Sequence, residues 1–456
     1  MTAPPSASRL RVGVDAVRAR AVALDRQGRI VATHRGRPRR DPAARLLGAV
    51  VAGGKDPAAI DRVVVILPDL TPAEVAGGVR VGVVRIGAPA ATALPPLAGW
   101  PAPQRRAFAG PVTMVRGGHE YDGRISAPLD LLAVAGFARR CAGDVGAVAV
   151  AGIHALENPE HEQRAADVIA DELGADVPVL RGAETEALGL LEREHTAVLD
   201  AAFAGVARAR LDELGAAVRV HCPDAELHVL RGDGTVLPAL DAPRHATAWI
   251  GAGHGGLIHG AARLAGVRSA AVVEVTADRA VVGTTHAGLL PDSGLPRHIA
   301  GIRTGLRTPR LTMVSRRAEE FTARLLAALA RARYGVDGMP VVIVGDRADD
   351  LPDPPGLPVL RPPDGDLAAA VGAATAEAMG SVDRIFWQGA GGRQDSVDRA
   401  RRLASDAAVR AGADPRTLRE SPVQEALMTY VPVPAARLRV TAVGPLLEPA
   451  EATVAP

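Results

Sequence analysis

Apolar and polar positions alternate from Leu10 to Val14 and again from Arg20 to Leu24, which predicts two short strands. The Asp25-Arg-Gln-Gly28 turn and a third strand from Arg29 to Thr33 complete a pattern expected of an antiparallel meander. The period lengthens to that of a helix from Ala43 to Val51, and the apolar run Val63 to Leu67, stopped by Pro68, predicts a buried strand. Further on, Leu131 to Cys141 and His161 to Leu173 read as helices, the second started by Asn158-Pro159-Glu160. Val145 to Ala151 and Val177 to Leu180 read as strands. Such alternation predicts an α/β class.

A long helix from about Glu192 to Leu214 leads into a second region. There, Ala216 to His221 and Glu226 to Leu230 read as a hairpin-like pair. Ser269 to Val275, Arg279 to Thr284 and a weaker third strand echo the opening meander, and Val341 to Val344 is a buried strand before Gly345-Asp346. The proline-rich Leu351 to Pro363 reads as a loop, Asp366 to Met379 as an alanine-rich helix and Leu438 to Val443 as a strand. Two domains are expected, residues 1–185 and 186–456, the second loosely repeating the first.

At 456 residues, with 48% apolar but only 2% aromatic side chains, the core must rest on Ala, Val and Leu, with Trp100, Trp249 and Trp387 as rare large fillers. Few rings are available to stack on nucleic-acid bases. The net charge is +2, its 53 basic residues interspersed with 51 acidic ones, so nothing predicts a nucleic-acid or membrane face. Lys55, the only lysine, sits in a Gly-Gly-Lys-Asp-Pro loop, which argues against P-loop or Schiff-base chemistry. Cys141 and Cys222 are far apart and read as ordinary thiols of a reducing compartment. The first residues form no apolar leader, and no apolar run approaches the ~20 residues that a bilayer requires, so a cytoplasmic protein is expected.

Among local motifs, Gly251-Ala-Gly253-His-Gly-Gly256 is the most conspicuous: a G-x-G-x-x-G after the apolar Ala246 to Ile250 and before the helical Leu257 to Leu264. With Glu274 at the end of the next strand this is the setting of a dinucleotide fingerprint, although antiparallel strands after Glu274 do not suit a Rossmann unit. A glycine-rich turn serving another ligand or tight packing is the other reading. His119-Glu120-Tyr121-Asp122, in a glycine-flanked loop, combines imidazole and carboxylate as a divalent cation would require, or is a solvated loop. His161 between Glu160 and Glu162 reads as a helix-start charge cluster. His254 lies within the glycine-rich turn, and no Gly-x-Ser-x-Gly or Ser-x-x-Lys signals a serine nucleophile.

Several ordered blocks resemble the hydantoinase/oxoprolinase family, specifically its A-type subunit. Gly117-Gly-His-Glu-Tyr-Asp-Gly123 with Pro128-Leu-Asp130 is similar to that family's Gly-Gly-x-x-x-Asp-Gly loop, and Val148 to Ile153 with Asn158-Pro-Glu-His-Glu162 to its next strand and helix start. Leu188 to Ala202 resembles its Arg-Glu and Leu-Asn-Ala signature, with Asp200 in place of Asn. Asp233-Gly-Thr235, Ala252-Gly-His-Gly255 and Gly260-Ala261 resemble its second-domain nucleotide loop, and Ala411-Gly-Ala-Asp-Pro415, Tyr430-Val-Pro432 and Ala442-Val-Gly444 its C-terminal end. The resemblance implies a duplicated, actin-like or acetate-kinase-like (ribonuclease H-like) fold, with two domains around a cleft for ATP and Mg²⁺ or another divalent metal. It also implies a hydrolase opening a cyclic amide such as a hydantoin, lactam or 5-oxoproline, working with a B-type or other second subunit.

The departures fall on the phosphate hairpins. In place of the family's Asp-x-Gly-Gly-Thr-x-Thr-Asp stands Gly13-Val-Asp15 followed by Ala16-Val-Arg-Ala-Arg20, and the second hairpin becomes Glu274-Val-Thr-Ala-Asp-Arg279. Glycines let consecutive backbone N–H groups converge on phosphate oxygens, so their loss removes most of that cradle. Asp278 adds a negative charge on the side of an approaching triphosphate. The resemblance assigns Asp15 and Glu274 to catalysis and to the metal, with His119 and Asp122 as further candidate ligands. It assigns Ala252, Gly253, His254, Gly255, Gly345 and Asp346 to the nucleotide, and Arg18 and Arg20 are candidates to bind phosphate in the glycines' stead. Three readings stay open: an ATP-dependent amide hydrolase, an altered non-catalytic relative acting as a partner subunit, and a dinucleotide-dependent enzyme.

Overall fold

The first half begins with β1 (Leu10–Asp15), β2 (Arg20–Leu24), β3 (Ile30–Arg35), α1 (Ala43–Gly53) and β4 (Ile60–Ile66). In this computed structural model, residues 9–448 are described except 55, 76–78, 186, 337, 389–391, 430 and 432–433. Lys55, Tyr430, Pro432 and the first eight residues lie outside the described residues. The opening meander is antiparallel as expected, with Asp15 opposite Arg20, and β4 adds in parallel on the other side of β1. All seven residues of β4 are buried, which its unbroken apolar run Val63 to Ile66 makes possible.

Between β4 and the return to this sheet the chain builds a second layer. A single turn, α2 (Pro72–Val75), leads to β5 (Val81–Ala88), α3 (Ala102–Phe108), β6 (Ala109–Arg116), α4 (Leu131–Cys141), β7 (Ala147–Gly152), α5 (Glu160–Leu173) and β8 (Val179–Arg181). These strands form an all-parallel sheet ordered β6-β5-β7-β8, with α4 and α5 covering it. The 32-residue α6 (Leu190–His221) then leads to β9 (Glu226–Leu230) and β10 (Val236–Pro238), which complete the first sheet as β10-β9-β4-β1-β2-β3. That sheet therefore draws strands from both sides of residue 185. The strand expected at Ala216 to His221 is instead the end of α6: Leu211, Leu214 and Val218 continue its buried stripe at helical spacing.

The second half repeats the plan. After α7 (Ala252–Leu264) come β11 (Ala270–Val275), β12 (Arg279–Thr285), a small β13 (Arg297–Ile299) and β14 (Ile302–Thr304) hairpin, β15 (Thr312–Ser315), α8 (Phe321–Ala332), β16 (Val341–Val344), β17 (Val359–Leu360) and α9 (Ala368–Ala374). The sheet order is β15-β12-β11-β16-β17, with β11, β12 and β15 antiparallel and β16 and β17 parallel to β11. This matches β3-β2-β1-β4-β9 strand for strand, so the duplication expected of an actin-like fold is present in the topology.

The two halves meet through α7, which packs on β11, and α9, which packs on β1. They cross so closely that a Cβ at Gly260 would overlap the Ala368 carbonyl oxygen, and one at Gly372 the Gly256 carbonyl. The helix expected to run to Met379 stops at Ala374, because Ala378 and Met379 begin β18 (Ala378–Trp387), a ten-residue pairing with the last strand. The chain ends with α10 (Gly392–Arg410), β19 (Arg419–Glu420), β20 (Gln424–Leu427) and β21 (Ala435–Gly444), a sheet on which α10 lies. Trp100 and Trp249 fill the core as expected, whereas Trp387 is half-buried against Tyr121.

Candidate functional site

β1 and β11, the equivalent first strands of the two halves, each carry a buried carboxylate at or near their C-terminal ends. Asp15 is fully buried and Glu274 is 4% exposed. The Asp15 carboxylate folds its own hairpin, accepting from the backbone N–H of Val17 at 2.9 Å and of Arg18 at 3.1 Å. That turn aims Arg18 across to the other half. Its Nε and Nη2 donate to Glu274 Oε1 at 2.8 and 2.7 Å, and Nη1 reaches Asp15 Oδ2 at 3.3 Å and the Gly253 carbonyl at 3.2 Å.

One guanidinium thus lies between both carboxylates and the start of α7. Burial works against the charge of Arg18, but attraction to Glu274 and then to Asp15 holds it more firmly protonated than an ordinary arginine. Burial pushes the Asp15 carboxyl up, and Arg18 with the two amide donors only partly offsets this.

Gly251 caps α7 in the left-handed region, φ 87°, and donates its N–H to Asp69 at 2.8 Å. Ala252, Gly253, His254 and Gly255 are therefore the first turn of a helix rather than a glycine-rich turn. Preceding them, Ala242–Trp249 is a 3₁₀ segment, not the strand that a dinucleotide fingerprint requires. His254 Nε2 is buried without a partner, and burial holds its imidazole below the usual pKa. Gly345, at φ 110° after β16, sits where a Cβ would strike the Val275 carbonyl, so the two strand ends approach as only glycine permits. Asp346 beside it is exposed.

The other candidates go elsewhere. Arg20 donates to Asp366 at 3.1 Å and to the carbonyls of Arg18, Ala19 and Gly36, holding the hairpin rather than facing the cleft. His119 stacks on His161, ring centroids 4.3 Å apart, and Asp122 pairs with Arg124 at 2.6 Å. The four candidate ligands thus do not converge: Asp15 and Glu274 share Arg18, whereas His119 and Asp122 lie with partners of their own. Among the described residues no group of three or more His, Cys, Asp or Glu side chains is arranged to hold a metal ion.

An Mg²⁺-nucleotide does not fit the residues present: the position between Asp15 and Glu274 already holds a cation on a side chain, and neither hairpin keeps its glycines. The sequence carried a signal for this. Set against the hairpin pattern of the family that the sequence resembles, Arg18 stands where glycines are expected, and Glu274 is one methylene longer than the expected aspartate.

The other blocks are structural. His161 is 2% exposed and accepts the Gly118 N–H on Nδ1 at 2.9 Å, which ties the 117–123 loop to α5; it is no surface charge cluster. Glu162 accepts from Gly152 N at 2.7 Å and Ala183 N at 2.8 Å, with burial raising its carboxyl to about 6. On α6, Arg193 donates to the Leu188 and Gly152 carbonyls, and Glu194 forms a buried pair with Arg85 at 2.5 Å. Asp200 accepts from Thr247 N at 2.8 Å and Oγ1 at 2.6 Å, and burial raises it to about 7.

The repeated strand order, the crossed helices between the halves and the paired strand-end carboxylates define the actin-like, ribonuclease H-like class. Residues 98–173 match the family model described as Hydantoinase/oxoprolinase N-terminal region, which places the 117–123 loop and α5 inside the matched segment. The whole chain has counterparts in fold among solved structures. Its fold is similar to that of ATP-dependent caprolactamase from Pseudomonas jessenii, TM-score 0.68 at 12% identity, over 97% of this chain and 88% of that one. It is also similar to nucleotide-free acetone carboxylase, from a study of ATP-dependent acetone carboxylation, TM-score 0.63 at 13% identity over the same shares. No curated protein sequence matches the chain. No helix among the described residues is long and apolar enough to cross a membrane.

Proposed function

We propose that this chain is an altered hydantoinase/oxoprolinase-family member that does not drive chemistry with ATP at its inter-half cleft and serves as a partner subunit. The observation that carries this reading is the Arg18 guanidinium bound to both Asp15 and Glu274. It supplies the positive charge that two buried carboxylates require, and it does so covalently tethered, so a metal ion must displace it and pay for desolvation. The test is isothermal titration of the whole protein with ATP, ADP and NAD, each with and without Mg²⁺. No nucleotide binding is expected; magnesium-dependent binding of ATP at micromolar strength sinks the proposal.

A second reading keeps ATP-dependent opening of a cyclic amide. It is supported by the likeness in fold to an enzyme whose title names it an ATP-dependent caprolactamase, and by the open α7 N-terminus behind Gly251 and the left-handed Gly345, backbone features that can accept an anion. Assays of hydantoin, caprolactam and 5-oxoproline turnover with ATP, alone and with a co-expressed second subunit, decide it: turnover above that of an Arg18→Ala, Glu274→Ala double variant establishes this reading.

A further inference from the structure

Away from the cleft, a cavity of about 410 Å³ lies between the 117–123 loop and the C-terminal sheet. Tyr121 from the loop stacks on Trp387 at the end of β18, ring centroids 4.1 Å apart, although the chain has only three tyrosines and three tryptophans. The indole Nε1 of Trp387 is buried with no hydrogen-bond partner. Leu156, Phe386 and Leu403 supply apolar wall.

The charges around the cavity are only loosely paired. Arg384 donates to the Leu156 carbonyl at 3.0 Å, and among the described residues no carboxylate lies within ion-pair distance of it. Its charged neighbours are Glu157 and a second arginine, Arg399 on α10, both lining the same cavity. Glu157 is likewise desolvated, which pushes its carboxyl above the ordinary range, and a basic nitrogen, His154 Nδ1, lies 3.9 Å from it. Arg384 and Glu157, each partly stripped of water, with the exposed Arg399 beside them, are an arrangement that a ligand carrying both charges satisfies. Asp122 and Asp395 also line the cavity; Asp122 is already committed to Arg124.

We propose that this cavity binds a small ring-bearing amino acid, its carboxylate on Arg384 and Arg399, its ammonium on Glu157 and its flat side chain against Tyr121 and Trp387. Recognition of both ends of a zwitterion requires both charges at a fixed separation, and the aromatic pair supplies the surface that a ring covers. The site is independent of the Asp15-Arg18-Glu274 cluster, so it stands or falls separately from the reading of the cleft.

Titration of the full-length protein with L-phenylalanine, 3-phenylpropionate and 2-phenylethylamine tests it by calorimetry and by tryptophan fluorescence. Trp100 and Trp249 are buried, so Trp387 is the expected reporter. Saturable binding of L-phenylalanine is expected, with each analogue weaker by about tenfold or more, as loss of one charge-assisted contact implies. Arg384→Gln should weaken L-phenylalanine by a similar factor, and Glu157→Gln should weaken L-phenylalanine but leave 3-phenylpropionate unchanged. Absence of saturable binding, equal binding of all three compounds, or an Arg384→Gln variant that binds as the parent does overturns the proposal. Should that variant fail to fold, the comparison of the three compounds on the parent protein carries the test.

Discussion

The hairpins β1–β2 and β11–β12 occupy equivalent places in two sheets of the same strand order, yet they do opposite things. The first is folded by the Asp15 carboxylate and sends Arg18 inward, across the molecule, to Glu274. The second is closed by Thr276, whose N–H donates to the Arg279 carbonyl at 2.9 Å and whose hydroxyl donates to Asp278 at 2.9 Å, and it leaves Asp278 and Arg279 exposed. The two strand ends are equivalent in topology, and each carries a carboxylate. What separates them is where the cation comes from: one half provides it for both carboxylates, and the other half only receives it.

The largest effect expected from breaking this asymmetry is Arg18→Ala. It leaves two buried carboxylates facing each other without a cation, and removing one partner of a buried ion pair costs about 3 to 5 kcal/mol. Urea unfolding at neutral pH measures it. In the variant, Mg²⁺ or Mn²⁺ should recover part of the loss while leaving the parent unaffected; a variant as stable as the parent breaks the comparison. A double-mutant cycle with Glu274→Gln should then give a coupling of about 2 kcal/mol between the two side chains. A coupling near zero would mean that Glu274 is held by something other than Arg18.

Asp200 sharpens the contrast from another direction, because it is a buried carboxyl held by hydroxyl and amide donors with no cation. Its folded pKa, about 7, lies above the ordinary 3.8, so the native state binds a proton that the unfolded chain has released. The stability this contributes is fully present below about pH 4 and is lost as pH rises to about 7. Asp200→Asn should flatten that slope and, at pH 8, stabilise the protein by about 4 kcal/mol, since a rise from 3.8 to about 7 is roughly three pKa units, each worth about 1.4 kcal/mol. A variant whose stability falls with pH as steeply as the parent's would show that Asp200 ionises as freely in the folded protein as in the unfolded one.

Much of the fold was legible in the sequence because strand period and turn residues agree locally, as in β1 to β3, or because one helical stripe is strong, as in α4. The duplicated architecture was legible through the family resemblance. Legibility failed where tertiary context chose between two acceptable local states. Ala216 to His221 alternates like a strand, but burial of Val218 one turn beyond Leu214 carries the helix on. Ala378 and Met379 are helix-forming by composition, yet the pairing of β18 with β21 claims them. Within the site, the loss of the glycines was readable residue by residue. The partner of Arg18 was not, since Glu274 is 256 positions away and only the fold brings the two hairpins together.

The smallest expected effect tests the quiet side of the comparison. Asp278 is exposed, and its Thr276 hydroxyl contact lowers its pKa without tying it to the other half. Asp278→Ala should therefore change stability by no more than about 0.5 kcal/mol, the usual scale for a surface substitution. Arg20→Ala, which frees Asp366 and three carbonyls from the first hairpin, should cost about 1 kcal/mol or more, since each hydrogen bond to a charged group contributes on that scale. Thermal unfolding of the two single variants side by side measures the difference. If Asp278→Ala proves the costlier, then the second hairpin carries structural weight of its own, and the division of labour between the halves must be redrawn around it.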